Sequence, residues 1–201
     1  MEEQTRRKIP VITIALIAAN VIVWLWMELT GDTQDAVYML DHGAAYYPLI
    51  TQEGEWWRLF TCMFLHFGAE HLIDNMLILY LTGSRMEHAA GRISYLLLYL
   101  GSGLCSSVLS LLAESRQTDW AVTAGASGAV FGIVGGLLAM AVLHRGQVEG
   151  LTTKGLLGMI GLSLIYGISV SGVDNWGHIG GFLGGLVLGV VLTLIQKVHI
   201  L

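Results

Sequence analysis

The sequence predicts an all-α, polytopic membrane protein: a six-transmembrane-helix bundle with both termini on the cytoplasmic side. Three observations carry that expectation. Of 201 residues, 54% are hydrophobic and only 12% are charged, whereas about a quarter of a soluble domain is charged. Six apolar segments approach the ~20 residues a helix needs to cross the hydrocarbon core: 10–29, 59–82, 93–113, 127–143, 154–171 and 177–196. With the N-terminus inside, eight of the ten basic residues fall on the cytoplasmic side, and only Arg58 and Arg116 fall outside. Membrane proteins keep Lys and Arg inside, so this sets the orientation.

The elements follow in order, as one membrane domain over 1–201. Residues 1–9, with Arg6, Arg7 and Lys8, form the cytoplasmic N-terminus. The first apolar run is a span rather than a cleaved signal, because it is too long and "MELTGD" after it lacks a small-x-small site. Residues 30–58 form the outer first loop. It holds Asp32, Asp35, Asp41, Glu53 and Glu55 together with "YYPLI" and "WW". Such aromatics favour the headgroup level, so part of this loop is expected to be embedded. The second segment is the least apolar, with His66, Glu70, His71, Asp74 and Asn75, and its first part reads as a loop or a half-buried helix. Of the 26 glycines, Gly128, Gly132 and Gly136 recur every fourth residue, as do Gly177, Gly181, Gly185 and Gly189. Faces of this kind let membrane helices meet backbone to backbone. Cys62 and Cys105 lie in apolar stretches without a disulfide or ligand pattern and read as small core residues.

Two polar side chains stand out against these small-residue faces. Ser127 lies in "AGASGA" and His178 in "NWGHIGGF". Packing alone would make the serine one more small residue. Their depth argues for more. Ser127 lies 18 residues before Arg145, and His178 lies 19 before Lys197. At 1.5 Å per residue, both sit roughly 27–28 Å above the cytoplasmic interface. An ionisable group inside a span is a functional hypothesis by default, and an imidazole beside a serine is the base that activates it. In "HFGAEHLIDN", His71 and Asn75 are spaced to share a helix face and offer donors for an oxyanion. Glu70 and Asp74 read as polar contacts at a helix end.

Other chemistries find no support. "HFGAEH" fits neither H-E-x-x-H nor its inverse, so no metal is expected. The glycine-rich segments follow no strand and carry no Lys after the last Gly, so no nucleotide cofactor is expected, and no nucleic-acid partner.

These residues resemble the rhomboid intramembrane serine proteases, over about Trp57 to Gly185. "WWRLFT" (56–61) is similar to the family's Trp-Arg signature at Trp57 and Arg58. "HFGAEHLIDN" (66–75) is similar to its two histidines and asparagine, and "GSRMEHAAG" (83–91) to its Gly…Glu…Gly pattern. "GASGAVFG" (125–132) is similar to its G-x-S-G segment, and "GHIGGFLGG" (177–185) to its last-helix motif.

The resemblance implies a serine endopeptidase that cleaves transmembrane segments of membrane-protein substrates near the outer face, through an acyl-enzyme. Ser127 is then the nucleophile and His178 the base of a dyad without a third acid. No carboxylate stands at a short helical spacing from His178 within its span. The Ser127 N–H, His71 and Asn75 form the oxyanion hole. His66, Trp57, Arg58 and Glu87 are supports, and Phe131 packs on the imidazole. Gly125, Gly128, Gly181 and Gly185 allow close approach. The loop 169–177 acts as a movable cap. The expected setting is a bacterial or archaeal inner membrane, with the site opening to the extracytoplasmic side. Two alternatives remain open: a non-catalytic relative that binds transmembrane helices, and a transporter relaying protons through His71 and His178.

Overall fold

The computed structural model describes residues 9–170 and 172–198. Arg6, Arg7 and Lys8, on which part of the orientation rests, lie outside the described residues. So does Ser171 of the expected cap loop. The chain is mostly helical. Among the described residues, three helices are long and apolar enough to span a bilayer: α1 (Val11–Thr30), α6 (Arg92–Glu114) and α9 (Asn175–Val198) over its residues 175–195. Two more, α7 (Ser127–Leu143) and α8 (Thr153–Ser169), are apolar but only 17 residues each.

The first part of segment 59–82 is separate from the long helix, as expected, but α5 continues past the expected end. It runs Gly68–Ala90 rather than 59–82. Gly68 takes φ +72°, a left-handed conformation that glycine adopts without penalty, and this breaks the chain before the helix. The residues ahead of it form a short helix α4 (Arg58–Thr61) and one 3₁₀ turn (Cys62–Phe64). The outer loop adds α2 (Ala36–Asp41), capped where Asp35 Oδ1 accepts the Val37 N–H at 2.8 Å, and α3 (Tyr47–Thr51). Between α7 and α8 sits a small hairpin of β1 (Gln147–Val148) and β2 (Leu151–Thr152), paired antiparallel with Val148 opposite Leu151.

Helix α7 occupies the centre, against α9, α6, α5 and α8. Almost every residue from Gly128 to Ala141 is buried. A helix apolar on all sides belongs inside, and this one is apolar throughout. The outer helices bury one stripe each. In α1 the stripe is Thr13, Leu16, Asn20 and Met27, while Ile14, Ile22, Leu25 and Leu29 face outward. Outward apolar surface of this kind suits lipid. Cys62 is buried as expected, but Cys105 is not a core residue: it is exposed on α6, where its β-carbon borders Gly184 of α9.

Glu87 and Arg58 tie the fold together. Glu87, buried near the end of α5, accepts from the Ile12 N–H at 3.1 Å, the Thr13 N–H at 2.8 Å and the Thr13 hydroxyl at 2.9 Å. It thereby serves N–H groups that the first turn of α1 leaves unpaired. Arg58, also buried, donates to the carbonyls of Leu40 at 2.6 Å and Ala44 at 2.9 Å and to Glu55 at 2.5 Å. Its guanidinium lies 4.6 Å over the half-exposed Trp57 ring. One cation thus closes the outer loop on itself.

Candidate active site

The site is built where α7 meets α9. Glycines pave this seam: a β-carbon on Gly181 or Gly185 would strike the carbonyl of Gly128 or Gly132. From the other side, Ser106 and Ser102 of α6 lie over Gly128 and Gly132. Three helices therefore approach to backbone distance at the start of α7. Across the seam, His178 Nε2 lies 3.0 Å from Ser127 Oγ. The Phe131 ring, one turn along α7, stacks on the imidazole at 4.3 Å and 13°. His178 Nδ1 is buried with no hydrogen-bond partner among the described residues.

The segment leading into Ser127 is fixed from both sides. Thr123 and Ala45 exchange N–H···O bonds of 2.9 Å each, tying it to the outer loop. The Gly125 N–H donates to the Cys62 carbonyl at 2.9 Å. The Ala126 N–H donates to His66 Nε2 at 3.3 Å. Gly125 has φ +144°, and a β-carbon there would lie 2.8 Å from His71 Cε1, 3.0 Å from His71 Nε2 and 3.7 Å from Ser127 Oγ. The His71 imidazole thus fills the space this glycine leaves, next to the hydroxyl. His66 meets His71 edge-on at 5.1 Å.

Asn75 is brought in less directly. Its Nδ2 donates to the His71 carbonyl at 2.9 Å, a bond within α5. Its amide has a second N–H for another acceptor. Glu70 and Asp74 are exposed, whereas Asn75 is buried. At the start of α7, the Val130 N–H is the first to bond within the helix, to Ala126. The earlier N–H groups, Ser127's among them, are left to other acceptors.

One carboxylate lies just beyond the span of His178. Asp174 stands four residues before His178, just ahead of the helix. Its Oδ1 accepts the Gly177 N–H at 2.8 Å, and its carbonyl accepts the His178 N–H at 3.0 Å. It is therefore an N-cap and makes no hydrogen bond to the imidazole. Sequence reasoning also passed over Ser102, Ser106 and Ser110. Their four-residue spacing on α6, the period of the glycines they face, was the available signal. Ser106, Ser110 and Asp174 border a cavity of about 40 Å³ next to Ser127, room for a few water molecules.

A serine hydroxyl thus meets an imidazole between tightly packed apolar helices. Residues 53–195 match the family model for the rhomboid domain, and the chain belongs to the rhomboid family. It is 35% identical over 185 residues to "Rhomboid protease GluP" of Bacillus subtilis, covering 92% of this chain and 35% of that protein. It is 32% identical over 183 residues to "Putative rhomboid protease YdcA" of the same organism, covering 90% of this chain and 88% of that protein. It is 37% identical over 154 residues to "RHOMBOID-like protein 7" of Arabidopsis thaliana, covering 76% of this chain and 48% of that protein. The chain thus spans about a third to a half of the length of GluP and RHOMBOID-like protein 7.

Proposed function

We propose that this chain is an intramembrane serine endopeptidase that cleaves transmembrane segments of other membrane proteins near the outer face. The 3.0 Å contact between Ser127 Oγ and His178 Nε2 carries the reading. A serine hydroxyl becomes nucleophilic when a base takes its proton, and the neutral imidazole is held by the Phe131 ring to do so. Ser127 Oγ attacks the scissile carbonyl as its proton passes to Nε2. The oxyanion forms beside the open N-terminus of α7, where the Ser127 N–H, His71 and one Asn75 N–H serve as donors. The imidazolium then protonates the leaving amine. Water, activated by the same nitrogen, hydrolyses the acyl-enzyme. With Nδ1 unpaired, the pair works as a dyad.

In this reading six helices, α1 and α5 to α9, cross an inner membrane with both termini cytoplasmic. Ser127 then lies slightly below the outer surface, and the segment before α9 serves as a cap. The test is cleavage of a transmembrane substrate by the purified protein, with labelling of Ser127 by a fluorophosphonate. The expected result is cleavage and labelling, both lost in His178→Ala. Undiminished cleavage by Ser127→Ala would sink the proposal. Substrate binding without cleavage would favour a non-catalytic binder of transmembrane helices.

A further inference from the structure

The cavity beside Ser127 has an electrical character that the dyad does not use. Asp174 is on its wall. A second cavity shares Ser107, Ser110 and Thr123 with it and carries Glu114 on its own wall. Among the described residues, no lysine or arginine lines either. Ser106 and Ser110 are 9% and 6% exposed, and both line the cavity beside Ser127. With Ser107, Thr123 and Ser127 they give the cavity a polar wall beside the Asp174 side chain. The Gly177 cap bond holds the Asp174 carboxylate in place, and no basic residue pairs with it among the described residues.

We propose that Asp174 is a specificity-determining residue: it makes this cleft favour a basic side chain on a substrate residue flanking the scissile bond. This rests on the protease reading. A substrate carbonyl at Ser127 brings its flanking side chains to this cavity. A Lys or Arg beside the scissile bond can keep its stem on the apolar surface around the cleft and turn its charge toward the Asp174 carboxylate. An acidic side chain there meets a like charge. The selection is informative because outer flanks of membrane proteins are poor in Lys and Arg. A basic residue at the outer end of a substrate helix is therefore a distinguishing mark.

The test uses the full chain in proteoliposomes and transmembrane substrates that differ only in the residues flanking the scissile bond: Arg, Ala or Glu. The wild type is expected to favour Arg over Glu in kcat/KM by about tenfold, the combined scale of one partly exposed attraction for Arg and one repulsion for Glu. In Asp174→Asn the ratio should fall toward one, since Asn still caps a helix but carries no charge. In Asp174→Arg it should invert. Each ratio is taken within one variant, so a general loss of folded protein cancels. Efficient cleavage of the Ala substrate with no preference for Arg over Glu in the wild type overturns the inference and leaves the protease standing. An unchanged preference in Asp174→Asn does the same. Cleavage of none of the substrates overturns both.

Discussion

The carbonyl of Gly132 lies against the α-carbon of Gly185, in the space that a β-carbon on Gly185 would need. The obstacle is backbone, so a larger residue cannot be accommodated by a rotamer change. Gly185→Ala should push α9 from α7 and cost about 1–3 kcal/mol, the range for overpacking. Thermal unfolding in detergent should show a lower midpoint. Because the seam also sets the Ser127–His178 distance, proteolysis should fall further than the loss of folded protein accounts for.

Ser127→Ala and His178→Ala should behave alike. Each should reduce kcat by about 10⁴-fold or more, because the pair acts as a unit. Ser127→Ala removes one oxygen from the head of a helix, so its unfolding midpoint should stay close to that of the wild type. A matched loss of stability would mean that the serine matters for folding instead.

His71→Ala tests the oxyanion site. If His71 donates to the developing charge, kcat should drop about 10²–10³-fold with little change in KM. The space left at Gly125 also permits a control. Gly125→Ala keeps the histidine but crowds its ring and strains a φ of +144°, so it should lower both stability and rate.

Glu87→Ala should destabilise without touching the chemistry. It strips the acceptor from the Ile12 and Thr13 N–H groups and from the Thr13 hydroxyl. Leaving such groups unpaired costs about 1–3 kcal/mol. Hydrogen exchange should rise in the first turn of α1, while kcat per folded molecule stays unchanged.

Helices whose lengths follow from apolar runs were legible in the sequence. Segment 127–143 coincides with α7, and 93–113 and 154–171 differ from α6 and α8 by one or two residues at each end. The glycine periods pointed to the α7–α9 seam, and the shared depth of Ser127 and His178 pointed to their meeting. What was hidden depends on contacts distant in sequence. The start of α5 is set by one left-handed glycine, and its last turns, polar at Arg85 and Glu87, are kept helical partly by the hold on α1. The outer loop owes its short helices to Arg58 reaching back to Leu40 and Ala44. Asp174 was not legible as a neighbour of His178 because it stands outside the apolar segment, and only the cap bond to Gly177 fixes its side chain there.

Helix α7 is 17 residues long, about 26 Å at 1.5 Å per residue, against a hydrocarbon core of about 30 Å. Enclosed by protein, it cannot tilt or stretch to follow the lipid. In the proposed orientation it therefore works as a ruler. The bond presented to Ser127 is chosen by distance from the outer membrane face, so lengthening the outer apolar end of a substrate helix should move the cut along the chain by as many residues.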